Sequence, residues 1–327
     1  MKIAISIPFL FVLTVWAAAC LWYDGPESRL MAGTFSIAFV VAVIALLILV
    51  RPVRRLWVGF LILFVLVQAW WLSIEPSNDR EWLVDVARPP SVTFDGDLVT
   101  IENIRNFHYR SETDFDENWE TRTYDLSQLQ GMDIYLSYWG SPMIAHTIMS
   151  WDFADGQHLA VSIETRKEVG EEYSAILGFF RQFELYYVVS DERDVIGVRT
   201  NHRGEDVYLY RLKTPIPRAR ALLVDYLETM NKLVDSPRWY NALLHNCTTV
   251  IQQHAQNVAA QRPFDWRIIV NGYIDELGYE RGTINTSLPF EELRRKSNIT
   301  EKAKAAGTSP EFSRQIRDGL PDRPSPN

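Results

Sequence analysis

Residues 146–165 read HTIMSWDFADGQHLAVSIET. Two runs of strand-forming residues, His146 to Phe153 and His158 to Thr165, flank the turn Ala154-Asp155-Gly156-Gln157. β-branched and aromatic residues on both sides of an Asp-Gly turn are the signature of a β-hairpin. Pairing Met149 with Ile163, Trp151 with Val161 and Phe153 with Leu159 sets apolar against apolar on one face. On the other face the same register sets His146 opposite Arg166, Ile148 opposite Glu164 and Ser150 opposite Ser162. His146 and Glu164 then share a face, one diagonal step apart. A slip by one residue would send Glu164 to the other side.

Outward from the hairpin, short alternating runs predict strands at Val92–Phe94, Leu98–Ile101, Asp133–Trp139, Leu185–Val189 and Val207–Leu212. A short helix is expected over Glu81–Ala87, before Pro89-Pro90. Further helices are expected over Glu171–Arg181, Pro217–Leu233, Pro237–Leu243 with Ser236 as its cap, and from Thr248 to about Gln261. Strands and helices intermixed in this way predict an α+β domain. The tail after Gly307 is polar, ends in Pro-Ser-Pro and is expected to be mobile at its end.

The first 76 residues differ in kind. Apolar runs from Ile3 to Tyr23, Leu30 to Val50 and Leu56 to Ile74 each approach the length a helix needs to cross a bilayer, which predicts three transmembrane helices. Trp22, Tyr23, Trp57, Trp70 and Trp71 stand near the run ends, where interfacial rings belong. Arg51, Arg54 and Arg55 lie in the second loop, whereas the first, Asp24 to Arg29, is slightly acidic. Positive loops stay inside. The expectation is a multi-pass protein of a bacterial-type inner membrane, with a cytoplasmic amino terminus and everything after Ile74 outside. The rival reading of the first run is a signal peptide, with Ala17-Ala18-Ala19-Cys20 as a faint lipoprotein processing site. The division is residues 1–76 for the membrane and 77–327 for the outer domain. A formal net charge of -8 argues against a nucleic-acid partner.

The outer domain holds one cysteine, Cys247, since the other, Cys20, falls in the first apolar run. An unpaired thiol in an oxidising compartment is either buried and inert or kept for its reactivity. Cys247 lies in YNALLHNCTTVI (240–251), where one helix is expected to end and another to begin. A helix start lowers a thiol pKa, so Cys247 is a candidate nucleophile with Asn246 and Thr248 positioning it or binding an oxyanion. A base is then needed, normally histidine. His108, His158 and His202 read as solvated, and His245 points away from its neighbour. His254 stands about 10 Å up the same helix and reads as a packing or surface residue. His146 remains. Glu164 would orient its ring, or would simply pair with Arg166 across the ladder. No ligand spacing points to a metal, and no cofactor is expected.

Taken together, Ile144-Ala145-His146-Thr147, Ser150-Trp151-Asp152-Phe153, Ser162-Ile163-Glu164-Thr165-Arg166, Tyr240-Asn241 and Asn246-Cys247-Thr248-Thr249 resemble the Lnb N-terminal periplasmic domain family, from about Phe107 to Arg262. Lnb is a lipoprotein N-acyltransferase of bacterial membranes. The His-then-Cys order is also similar to the permuted papain-like clan of NlpC peptidases and lecithin:retinol acyltransferase. The resemblance implies a permuted papain-like, NlpC-like outer domain with Cys247 as nucleophile, His146 as base and Glu164 as candidate third residue. It implies thioester-mediated acyl transfer from a phospholipid to the amino-terminal amine of a lipoprotein. Membrane lipids, lipoproteins or peptidoglycan are the partners it suggests. Two rivals stand beside it: a periplasmic amidase or peptidase using the same pair, and a non-catalytic interaction module of the envelope, for which Cys247 would be sealed in the core.

Overall fold

The computed structural model describes residues 2–259 and 263–325, with side chains from residue 7 onward. The end of the helix expected to reach Gln261 lies outside the described residues, as do the last two residues of the tail. The chain divides into two compact units. One comprises residues 1–77, 172–184 and 239–242, the other 78–171, 185–238 and 243–327.

The first unit holds three helices, α1 (Lys2–Tyr23), α2 (Arg29–Leu49) and α3 (Val53–Leu72). α2 and α3 are long and apolar enough to cross a membrane, whereas the described apolar stretch of α1, Ile7–Tyr23, is shorter. Leu10, Ala17, Phe39, Val43, Leu56 and Phe60 close the seam between them. Their outward side chains, among them Phe11, Ile37 and Leu66, are apolar and exposed, as a helix facing hydrocarbon requires. Asp24, after α1, accepts from Trp71 Nε1 at 2.5 Å, Gln182 Nε2 at 2.7 Å and the Arg181 N–H at 3.1 Å.

The second unit is a mixed sheet with helices on both faces. Its strands are β1 (Ser91–Asp95), β2 (Leu98–Arg105), the small pair β3 (His108–Tyr109) and β4 (Phe115–Asp116), β5 (Trp119–Asp125) and β6 (Leu129–Tyr138). They continue with β7 (Ala145–Phe153), β8 (His158–Arg166), β9 (Glu184–Ser190) and β10 (Asp206–Arg211). The order is β1-β2-β9-β8-β7-β6-β10, with β5 on β2. The helices are α4 (Glu192–Val195), α5 (Ile216–Asp235), α6 (Cys247–Val258), α7 (Ile274–Glu280), α8 (Phe290–Ser297), α9 (Thr300–Ala306) and α10 (Phe312–Arg317).

Strand alternation sorts the contacts of the sheet. Trp151 donates to the Ala219 carbonyl of α5 at 3.1 Å and meets Tyr226 edge-on. Tyr135, Ile148 and Ala160 point the other way, into Val195, Ile196, Ile299, Phe312 and Ile316. α5 buries Ala219, Leu222, Leu223, Tyr226, Leu227, Met230 and Leu233, a three-and-four spacing that gives one apolar stripe.

Three expectations need correction. The β7–β8 register pairs Met149 with Val161 and Trp151 with Leu159, two residues off the sequence-based pairing. A shift of two keeps every side chain on its face. Residues 171–181 form only a short 3₁₀ turn, Leu177–Phe179, because the Gly178 carbonyl accepts from Ala242 N–H at 2.7 Å instead of closing a helix. Residues 237–243 are not helical either: Tyr240 N–H bonds the Phe183 carbonyl at 2.9 Å, and the Arg238 carbonyl accepts from Leu185 N–H at 2.7 Å. Ser236 caps the end of α5, not a helix start. The tail is docked: Phe312 and Ile316 are buried, and Arg323 Nη2 bonds Asp152 at 2.5 Å.

Candidate active site

Asn246 begins α6. Its side chain accepts from Thr249 N–H at 2.9 Å, and Thr249 Oγ1 accepts from Asn246 N–H at 2.9 Å, a reciprocal capping box. The sequence requires this, since Asn offers the short acceptor and Thr three residues on the returning hydroxyl. Asn246 is thereby engaged as the cap. Cys247 is the first residue of the helix, where N–H groups are unpaired by the helix itself.

The Thr248 hydroxyl lies 3.8 Å from the sulfur. Asn271 braces the site. Its Nδ2 donates to Thr248 Oγ1 at 2.6 Å and lies 3.9 Å from the sulfur, while its Oδ1 accepts from Ala145 N–H at 2.9 Å. Gly272, next in sequence, donates to the Met143 carbonyl at 2.9 Å. A Cβ at 272 would fall 2.1 Å from the Pro142 carbonyl oxygen, so only glycine lets this loop reach the start of β7.

The β7–β8 ladder is paired from Ile148↔Ser162 to Asp152↔His158. Ala145–Thr147 and Ile163–Arg166 extend past that segment. There β7 meets the start of α6. Thr147 Oγ1 also meets Thr248 Oγ1 at 3.3 Å, on the face of α6. The side chain of His146 takes the opposite face, with Ser162, Glu164 and Arg199. The thiol therefore lies on the Thr147–Thr248 side of β7, with the imidazole on the other face.

His146 Nε2 lies 2.6 Å from Ser162 Oγ. Ser162 Oγ donates to Glu164 Oε1 at 2.7 Å, and Glu164 itself stands 3.7 Å from Nε2. Glu164 is also bonded by Arg199 Nη2 at 2.9 Å. An ionised carboxylate only accepts, and a serine hydroxyl has one proton to give. That proton goes to Glu164, so Ser162 Oγ accepts from Nε2–H. Nδ1 is then the unprotonated nitrogen, and no described residue bonds it.

Burial, with the Arg199 charge second, pushes the His146 imidazole down to about 3. It is neutral at physiological pH, and its free lone pair is less basic than in an ordinary histidine. At Glu164 burial is the largest single influence and raises the pKa, but Arg199, His146, Arg105 and Arg203 together outweigh it and hold that carboxyl well below the usual carboxylate range. The thiol does not behave as the helix start alone would suggest. Burial pushes Cys247 up, and the Thr147 and Thr248 donors offset this only in part. With both the thiol and the imidazole neutral at rest, a thiol mechanism would need proton removal during attack rather than a standing ion pair.

Arg166 does not pair with Glu164. It bonds the Val86 and Ala87 carbonyls at 3.0 and 2.9 Å and stacks over Trp82. His254 is buried, 2.6 Å from both Tyr187 Oη and Asp225 Oδ2. His245 is exposed. Among the described residues no group of three His, Cys, Asp or Glu side chains is gathered as for a metal.

Ser162, Arg199 and Asn271 escaped the sequence reading. Ser162 was findable, since it precedes Glu164 by two and so shares its face. Nothing in sequence ties Arg199 or Asn271 to the hairpin.

Residues 115–272 match the family model of the Lnb N-terminal periplasmic domain. That stretch contains every residue of the site. No curated protein and no solved structure matches the chain.

Proposed function

We propose that the second unit is a thiol acyltransferase, held at the outer face of a bacterial inner membrane by the apolar amino-terminal helices. The supporting observation is the directed chain Glu164–Ser162–His146, which leaves Nδ1 as the unprotonated nitrogen, one residue before Thr147, whose hydroxyl meets Thr248 next to Cys247. In the first step the sulfur attacks an ester carbonyl of a phospholipid while its proton passes to Nδ1. The C–O bond breaks, the leaving glycerol oxygen takes that proton, and an acyl thioester remains. An amine then attacks the thioester, its proton passes through Nδ1 to the departing sulfur, and an amide is released. The Thr248 N–H, at the start of α6, would bind the developing oxyanion.

The loops around the site favour a lipid donor. Trp139, Met143 and Ile144 precede His146, and Trp266 and Ile269 precede Asn271. All five are large apolar side chains left substantially exposed. Such side chains suit acyl chains and the bilayer interface better than a sugar-peptide polymer. The family matched by residues 115–272 is named for a periplasmic domain, which accords with this placement.

The test is turnover by the full chain in phospholipid vesicles of one defined acyl composition, with an amino-terminal diacylglyceryl-cysteine peptide as acceptor. Wild type should yield N-acylated peptide and lysophospholipid, and Cys247→Ala neither. Full turnover by Cys247→Ala would refute a thiol mechanism. Lysophospholipid with free fatty acid and no acylated peptide would reassign the chain as a hydrolase.

A further inference from the structure

The π-helical turn Val198–His202 carries Arg199 into the polar cluster on the His146 side of the sheet. π turns are rare, and the extra residue per turn re-aims a side chain, often at a functional site. Arg199 is nearly inaccessible, 5% exposed, so its charge is matched by protein groups alone. Nη2 bonds Glu164 Oε1 at 2.9 Å and Nη1 bonds Glu205 Oε2 at 3.1 Å. The Glu205 N–H returns to the Arg199 carbonyl at 3.0 Å. Ser137 Oγ donates to the same Glu205 oxygen, and Ser137 is the β6 partner of His146. Arg203, which ends the turn, forms an ion pair with Glu112 at 2.9 Å and stays 4.0 Å from Glu205. Of the cations near Glu164, Arg199 is therefore the one in contact with it; Arg105 and Arg203 act only from a distance.

We infer that Arg199 is a positioning residue that fixes the tautomer of His146, acting through Glu164 and Ser162. This rests on the reading of His146 as the base. A buried carboxyl without its cation takes up a proton. Glu164 would then become a donor toward Ser162 Oγ. The serine hydroxyl would turn its own proton to Nε2, and the imidazole proton would move to Nδ1. The nitrogen meant to accept the thiol proton would already hold one. No atom is added beyond the proton on Glu164.

Histidine-selective ¹⁵N NMR of the full chain in detergent reads the tautomer directly, with His146 assigned by its absence in His146→Gln. The wild-type ring should be protonated at Nε2. Arg199→Met should move the proton to Nδ1 and lower turnover by about 10²-fold, the usual contribution of a general base. Arg199→Lys, which keeps a cation for Glu164, should keep the Nε2–H form and most of the turnover. If Arg199→Met does not fold, Arg199→Gln replaces it. An Nε2–H ring in the uncharged variant overturns the inference, even if turnover falls, because the loss would then be structural. The tautomer is measured without any reaction, so failure of the acyl-transfer reading would appear separately, as a wild type that transfers nothing.

Discussion

Glu164 carries the choice on which the site turns, and its sequence surroundings suggest two partners, an imidazole across the ladder and Arg166 two residues on. Alternation alone places Glu164 and His146 on one face. It cannot select the partner, because the deciding cation, Arg199, lies 35 residues further along and enters only with tertiary structure. The thiol marks a second limit. The helix start and its N–H donors lower a thiol pKa, but they act on a sulfur only 7% exposed as a residue, and burial outweighs them. The buried imidazole has a consequence in solution. Unfolded, it takes a proton as pH falls through its ordinary 6.5; folded, it does so only near 3. Between those values the unfolded chain binds more protons, so stability must fall with pH, by at most about 1.4 kcal/mol per pH unit for this group. The depressed Glu164 adds loss of the same sign below its ordinary value of 4.5. Urea denaturation at pH 5 to 7 should show this slope, and His146→Gln should flatten it. An equal slope in both proteins would contradict the burial of a neutral ring.

At the scale of elements, strands and the long helices were legible because their patterns are local. α5 follows from apolar spacing, and α6 from Asn246 and Thr249 three apart. The hairpin register missed by two because the turn is tighter than four residues. Phe153 N–H bonds the Gln157 carbonyl at 3.0 Å around Ala154-Asp155-Gly156, and Gly156 takes φ 85°. That is a three-residue loop, which glycine in the left-handed region permits. The two helices expected at 171–181 and 237–243 failed because their backbone groups bond other segments, which local propensity cannot register. α6 supports an element-scale prediction. Asn246→Ala removes the acceptor for Thr249 N–H, and should cost about 1 kcal/mol of stability. Because the cap sets where the helix begins, it should also slow Cys247 acylation. Denaturant melts and single-turnover rates would measure both, and an unchanged melt would contradict the capping account.

Across the whole molecule, the sequence suggests a division at about residue 77, whereas the first compact unit also takes in residues 172–184 and 239–242. The anchors of the closing segment are isolated cations in a polar stretch, which sequence reading does not tie to the sheet. Arg317 bonds Asp133 at 2.9 Å and Glu192 at 2.7 Å, and both carboxylates are buried. Removal of either side of such a pair leaves a charge stranded in the interior, so the segment belongs to the fold. α9 and α10 thereby cover the sheet face that carries the Glu192 and Tyr135 network, while α5 and α6 cover the other. The site is built where β7 runs past its ladder with β8. The central claim is that the sulfur reached there becomes covalently acylated with His146 as its base. Intact-mass analysis of the full chain, quenched in acid after incubation with vesicles of a single phospholipid and no amine acceptor, tests it most directly. The account predicts a mass increase of one acyl group on the Cys247 peptide, released by neutral hydroxylamine, absent in Cys247→Ala and strongly slowed in His146→Gln. An unmodified Cys247 in a preparation that still consumes phospholipid would contradict it.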